Sequence, residues 1–188
     1  MISFEHVYLS FGEKHVISDM SFSMEKHDRI ALMGDSGAGK TTIMRLLLGF
    51  QKPDSGNVRV DEKLSVLFQE NRLIESLSVL SNLMLVTDDK LRAMEMLRKV
   101  GLKGEEKNKV STLSGGMKRR LSLARALLVD YEVLLLDEPF NGLDPERKRS
   151  IADLILHETE GKGLILISHE EEERELLKVE KRLEIGVL

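Results

Sequence analysis

Gly34-Asp35-Ser36-Gly37-Ala38-Gly39-Lys40-Thr41 follows the apolar run Ile30-Ala31-Leu32-Met33 and precedes Thr42-Ile43-Met44-Arg45-Leu46-Leu47-Leu48. The octapeptide fits G-x-x-x-x-G-K-[ST], and its flanks predict strand, glycine loop and helix in that order. Glycines let the backbone turn so that successive N–H groups face one anion. The start of the following helix adds positive dipole at the same place. Lys40 is then placed to reach the β- and γ-phosphates of a nucleoside triphosphate, and the Thr41 hydroxyl to ligate Mg²⁺. The bland alternative, a glycine turn that merely starts a helix, leaves the lysine and the hydroxyl unexplained.

The chain has 188 residues, 41% of them hydrophobic and 32% charged, with a net charge of −4. That length suits one well-cored domain. The charge balance gives no support for a nucleic-acid partner. No cysteine is present, which removes disulfides, thiolate metal sites and thiol catalysis. The N-terminus lacks a basic-then-apolar leader pattern. No apolar run approaches the roughly 20 residues that span a bilayer. The expectation is a cytoplasmic protein with no direct membrane insertion, which would serve a membrane process only through another chain.

Two further apolar runs share the grammar of Ile30 to Met33. Val133-Leu134-Leu135-Leu136 ends at Asp137-Glu138, and Leu164-Ile165-Leu166-Ile167 ends at Ser168-His169. Continuous apolarity suits strands buried on both faces of a parallel sheet. Each run delivers polar chemistry at its carboxyl end, where open α/β sheets bind ligands. The N-terminal stretch, with Ile2, Phe4, Val7 to Phe11, Met20, Phe22 and Met24, alternates in part. With Val58, Val60 and Val66 to Phe68 it predicts a mostly antiparallel lobe. Leu80, Leu83 and Met84, then Leu91, Met94 and Leu97, repeat at helical spacing, with Thr87 a candidate N-cap and Gly101 a stop. Lys103 to Lys109 reads as a linker.

Asp137, at the end of a buried strand, suits Mg²⁺, usually through water. If extended geometry persists, Glu138 points to the other side and is free to polarise a water. Ser114 is a natural N-cap for a second glycine-preceded helix, with Leu121, Ala124, Leu127 and Leu128 on its apolar face. Another helix N-terminus suited to an anion needs a reason, because one glycine loop already wraps one triphosphate. Lys118 to Arg120 and the acidic run Glu170 to Glu175 read as solvated faces.

Taken together these segments resemble the ABC-transporter ATPase family over nearly the whole chain. Gly34 to Thr41 matches its Walker A loop, Gln69 after Val66-Leu67-Phe68 its Q-loop glutamine, and Leu113-Ser114-Gly115-Gly116-Met117 its LSGGQ signature. Val133 to Glu138 matches Walker B with the catalytic glutamate. Asn141-Gly142-Leu143-Asp144 looks like the D-loop, His169 like the switch histidine, and Phe11 stands where the family places an adenine-stacking aromatic. The resemblance implies an α/β, RecA-like P-loop NTPase: a mainly parallel sheet core with an antiparallel β lobe and a small helical subdomain. It implies one ATPase domain over 1–188, with lobe and loop core over about 1–70, helices over about 71–128, and the Walker B and switch part over about 129–188.

It also implies roles. Phe11, the loop residues Gly34, Asp35, Ser36, Gly37, Ala38, Gly39, Lys40 and Thr41, and Thr42 would hold ATP. Thr41, Gln69 and Asp137 would serve Mg²⁺. Glu138 would be the general base, His169 would contact the γ-phosphate, and Lys40 would neutralise β- and γ-phosphate charge. In a head-to-tail dimer with a second ATPase subunit, Ser114, Gly115 and Gly116 would meet the γ-phosphate held by the other chain, and Asp144 would communicate across the interface. The implied function is an ATP-hydrolysing motor driving separate transmembrane permease subunits, peripheral at the inner face of the cell membrane. The alternatives are a soluble ABC-type ATPase of the cofactor-assembly or DNA-maintenance kind, and a nucleotide-gated binding module without turnover. Met117 in place of the signature glutamine, with Pro139-Phe140, resembles the nitrate, sulfonate and taurine importer branch; Asn141-Gly142-Leu143-Asp144-Pro145 looks equally at home in exporters. The chain is short for the family, and the expectation is that it carries no C-terminal regulatory domain.

Overall fold

The structure, a computed structural model, describes residues 1–35 and 37–185. Ser36, one of the loop candidates, lies outside the described residues. The chain opens with two long antiparallel strands, β1 (Ile2–Phe11) and β2 (Lys14–Met24). Strand β3 (Arg29–Met33) then runs into the glycine loop and helix α1 (Lys40–Leu47). Strands β4 (Ser55–Val60) and β5 (Leu64–Leu67) follow. Next come helices α2 (Val79–Leu83), α3 (Lys90–Lys99) and α4 (Gly115–Leu128). The chain returns through β6 (Val133–Asp137), α5 (Pro145–Glu158), β7 (Gly163–Ile167), α6 (Glu171–Leu176) and β8 (Lys181–Glu184).

Two sheets result. One is antiparallel in the order β2-β1-β4, and the other is parallel in the order β5-β6-β7-β3-β8. The three continuous apolar runs are β3, β6 and β7, the middle strands of the parallel sheet. Their alternate residues feed two different cores, because successive side chains leave a strand on opposite faces. Leu134, Leu136, Leu164 and Leu166 join the helices α2 to α5 on one face. Val133, Leu135, Ile165 and Ile167 join α1 and the antiparallel sheet on the other. A polar residue in these runs would be buried whichever way it pointed, so the runs are apolar without a gap.

The structure departs from the sequence reading in three places here. Val66 and Leu67 belong to β5, which pairs with β6 in the parallel sheet, not to the antiparallel lobe. In α3 the buried residues are Ala93, Met96 and Leu97, whereas Leu91 is 82% exposed and Met94 is 42% exposed. The inward stripe therefore keeps Leu97, as expected, but takes Ala93 and Met96 in place of Leu91 and Met94. The N-cap of α3 is Asp89, which accepts from Arg92 N at 2.9 Å, while Thr87 Oγ1 accepts from Asp89 N one step earlier. Gly101 does end that helix, with φ 68°, the left-handed conformation that favours glycine after a C-cap.

Strand β8 bears on the glycine loop directly. Ile185 N donates to Met33 O at 2.7 Å, and a Cβ at Gly34 would collide with the carbonyl oxygen of Ile185. Gly34, at φ 153°, thus answers to a close approach of backbone as well as to the turn.

Candidate active site

The carboxyl ends of β3, β5, β6 and β7 meet at a cavity of about 530 Å³. Asp35, Gly37, Gly39, Lys40, Thr41 and Thr42 line it from the loop and the first turn of α1. Gln69 enters after β5, Asp137 and Glu138 after β6, and His169 after β7. Phe11 reaches it from the antiparallel sheet and is 48% exposed. Four segments far apart in sequence thus face one cavity, because parallel strands deliver their ends to the same edge.

The loop is shaped for an anion. Gly39 is the N-cap of α1 at φ 100° and brings no side-chain acceptor to the first-turn N–H groups. A Cβ on Gly39 would lie 3.2 Å from Val16 O and 3.0 Å from Val16 Cγ1, so the antiparallel lobe presses on the loop here. Ala38 is buried and, with Gly34, shapes the loop without lining the cavity. Lys40 Nζ curls back over the loop to donate to Gly34 O and, at 2.8 Å, to Asp35 O. An ammonium has three donors, so one is left to face the cavity.

Opposite the loop, Glu138 is held between two partners. Gln69 Nε2 donates to Glu138 Oε2 at 3.2 Å. His169 Nδ1 approaches the other oxygen at 3.2 Å, a hydrogen bond that needs the proton on Nδ1. The extended geometry expected after Asp137 does not persist, since Glu138 takes φ 47°. A non-glycine residue with positive φ is uncommon, and strain of about 1–3 kcal/mol at such a position is characteristic of functional sites. Here the turn aims the Glu138 carboxylate at Gln69 and His169, from strands on either side of β6.

Asp137 is 6% exposed. Burial pushes its carboxyl above the ordinary Asp range, with the Glu138 charge adding to the rise and Arg119 opposing it. The residues fit a hard divalent cation: a buried carboxylate, a hydroxyl and an amide oxygen are the donors Mg²⁺ prefers. Among the described residues no group of three His, Cys, Asp or Glu forms a cage. A cation here would need oxygens from a phosphate and water, as Mg²⁺ commonly does.

The raised Asp137 value has a consequence for stability. The unfolded chain ionises this carboxyl more readily than the folded one, so its contribution to stability is lost as pH rises through the folded value. Asp137→Asn is therefore expected to raise the melting temperature of the nucleotide-free protein at pH 7.5. The gain should shrink as pH is lowered and vanish below the ordinary Asp range. Thermal melts of both proteins across that window check it; a variant less stable at neutral pH would contradict it.

Ser114, Gly115, Gly116 and Asp144 do not line this cavity. Ser114 caps α4, accepting from Met117 N at 3.3 Å. Asp144 caps α5, accepting from Arg147 N at 3.0 Å. A Cβ on Gly116 would stand 3.2 Å from Gly142 O, so the start of α4 packs on the loop 141–144.

Two runs read as solvated faces each hold a buried charge, while Glu171, Glu172 and Glu175 are exposed as expected. Arg119 is 3% exposed, and Arg120 donates to the carbonyls of Val100, at 2.5 Å, and Gly101, at 2.9 Å. Lys118, half-buried, pairs with Glu75 at 2.6 Å. In the acidic run Glu173 is 3% exposed and accepts from Ser168 Oγ at 2.7 Å. Ser168 Oγ in turn accepts from Glu170 N at 3.0 Å. Lys148 on α5 pairs with Glu170 at 2.9 Å and reaches Glu173 at 4.0 Å. This network anchors the turn that carries His169. Lys14 and Val16, which had no signal in the sequence, also line the cavity, as does Ile167 at the end of its apolar run.

The fold and this edge-on phosphate cradle define a P-loop ATPase. The family model described as ABC transporter matches residues 17–141. An aliphatic sulfonates import ATP-binding protein of Shouchella clausii is 38% identical, over 92% of this chain and 72% of that protein. A taurine import ATP-binding protein of Pseudomonas aeruginosa is 36% identical, over 90% of this chain and 73% of that protein. A solved ATP-binding cassette, dimeric in a post-hydrolysis state with ADP and Pi, superposes with a TM-score of 0.86 at 24% identity, covering 99% of this chain and 94% of that one. The chain belongs to the ABC transporter family, as an ATP-binding, ATP-hydrolysing subunit, and is similar to the importer branch that Met117 suggested. No helix among the described residues is long and apolar enough to cross a membrane.

Proposed function

We propose that this chain is the motor of an importer, closing on a second ATPase subunit around two ATP molecules to drive a separate membrane permease from the cytoplasmic face. The carrying observation is the placement of Gln69 and His169, each hydrogen-bonded to Glu138, across one cavity from the Lys40 loop. Import rests on likeness to the sulfonate and taurine import subunits. Residues 1–188 act as one ATPase unit, and cargo is chosen by the permease and not by this chain.

The reaction is an in-line attack of water on the γ-phosphorus, with ADP leaving. Phe11 stacks on the base. Asp35, Gly37, Ala38 and Gly39, with Gly34 as the pivot, present the loop to the phosphates, and the first-turn N–H groups at Lys40, Thr41 and Thr42 complete the cradle. Lys40 offsets charge on the β- and γ-phosphates. Glu138, turned toward the cavity by its positive φ, takes the proton of the attacking water. Gln69 and His169 hold that carboxylate in place, and His169 reaches toward the γ-phosphate. Thr41, Asp137 and Gln69 would hold Mg²⁺, which supplies charge neutralisation at the phosphate oxygens. Ser114, Gly115 and Gly116, exposed or half-exposed outside the cavity, complete the site of the other subunit, and Asp144 lies beside that contact.

The test is co-purification with membrane partners after mild detergent extraction, together with phosphate release from ATP. The expected result is capture of a multi-span permease and ATP turnover by the complex that depends on Mg²⁺. A complex that binds ATP without releasing phosphate, or a chain that captures only soluble scaffold proteins, would overturn the reading.

A further inference from the structure

Arg119 stands one turn inside α4, beyond the Ser114 cap. It lies in a run of three basic residues, yet only 3% of it is exposed. Its guanidinium has five N–H donors, and each finds a different backbone carbonyl. Nε donates to Pro139 O at 3.3 Å. Nη1 donates to Phe68 O and, at 3.1 Å, to Gln69 O. Nη2 donates to Asp137 O and, at 2.7 Å, to Glu138 O. Those carbonyls belong to the turns that leave β5 and β6, neighbouring strands in register with Leu67 beside Leu136.

The same face of α4 continues the grip. Ser122 Oγ donates to Asn71 O at 2.6 Å, and Arg125 Nη2 to Arg72 O at 2.8 Å. Positions 119, 122 and 125 recur at helical spacing, so one stripe of the helix satisfies the carbonyls of Phe68, Gln69, Asn71 and Arg72. The turn holding Gln69 is thus bound to α4, but only Arg119 also reaches the turn holding Glu138.

Granting the reading of the cavity as a hydrolysis site, we infer that Arg119 is a positioning residue: a five-point clasp that sets the spacing of Gln69 against Glu138 and makes both follow the start of α4, where Ser114 stands. Arg119 touches no substrate. It fixes the backbones from which Gln69 Nε2 and Glu138 Oε2 meet at 3.2 Å. A shift of the α4 N-terminus is carried to the water-activating carboxylate through rigid helix and five hydrogen bonds. Lysine cannot substitute, because its three donors leave at least two of the five carbonyls unmet.

The experiment splits binding from chemistry in the full-length protein. For Arg119→Lys, affinity for a fluorescent ATP analogue is expected to stay within about threefold of wild type, since Phe11, Lys40 and the glycine loop are untouched, while single-turnover hydrolysis at saturating ATP falls by about fivefold or more. A smaller loss of rate, or an equal loss of affinity and rate, would overturn the proposal. A second measurement needs no variant and no turnover. In arginine-labelled wild-type protein, the Arg119 Nε–H resonance should exchange with water far more slowly than that of exposed Arg149 and should move when ATP is added. Equal exchange rates, or a resonance indifferent to ATP, would overturn it even if Arg119→Lys fails to fold. A wild-type complex without turnover would instead sink the hydrolysis reading, and the resonance would still judge the clasp.

Discussion

Glu138→Gln is expected to lower ATP turnover by roughly 10²–10⁴-fold, the usual worth of a general base. The amide is nearly isosteric, so the cradle of Lys40 and the glycine loop is undisturbed and ATP binding should persist. An amide accepts through only one of its two terminal atoms, however, whereas Glu138 accepts on both oxygens, from Gln69 and from His169. One of those contacts must break or reverse, with the new NH2 donating where an oxygen accepted, and no base remains to take a proton from water. ATP-bound dimers should therefore accumulate, visible as a larger species on gel filtration with ATP and absent with ADP. Steady-state phosphate release near the wild-type rate would remove Glu138 from the role of base.

Mixing two inactive variants is expected to restore hydrolysis. Ser114→Arg removes the hydroxyl at the start of α4, and Lys40→Ala removes the loop cation. Loss of the Ser114 cap itself costs about 1 kcal/mol, too little to unfold a stable domain. If Ser114 acts on the nucleotide of the other subunit, a heterodimer unites the intact Lys40 of one chain with the intact Ser114 of the other. Random pairing in a symmetric dimer would make about a quarter of all sites whole, and single-turnover hydrolysis should recover in that proportion. If Ser114 served its own cavity, no mixture would contain a complete site. The absence of Ser114, Gly115 and Gly116 from the lining of their own cavity is what motivates the experiment. Heterodimers that form, as judged by tagged capture, and yet stay inactive would refute action across the interface.

Both experiments concern residues that sequence alone singled out, and the reason is local. A phosphate cradle needs glycines, a lysine and a hydroxyl within eight positions, and a strand buried on both faces needs an unbroken apolar run. Val133 to Leu136 and Leu164 to Ile167 could be read as strands because every side chain in them is buried. Their carboxyl ends then pointed to Asp137, Glu138 and His169 without knowledge of the sheet order. Helix starts were legible where the cap is a short polar side chain beside glycine, as at Ser114, and less so where two candidates compete, as at Thr87 and Asp89. Leu97 was placed correctly in α3, but Leu91 and Met94 were preferred to Ala93 and Met96 because all are apolar, and only packing chooses between neighbouring positions.

What tertiary structure alone decided is the fate of polar groups whose partners are distant in the chain. Arg119 and Lys118 are adjacent and both cationic, yet one is buried among carbonyls and the other, half-buried, pairs with the carboxylate of exposed Glu75. The carbonyls that hold Arg119 lie at 68–69 and 137–139, groups present at every residue and therefore silent in sequence. Glu173 likewise differs from Glu171 and Glu172 only in facing Ser168 and Lys148. Val66 and Leu67 were read into the antiparallel lobe, and their place beside β6 was settled by the sheet. Sequence by itself determined the ATP-binding chemistry and the strands that carry it, because both depend on side chains close together along the chain. The clasp that aligns Gln69 with Glu138 was decided by the fold, because it is made from backbone that only folding brings together.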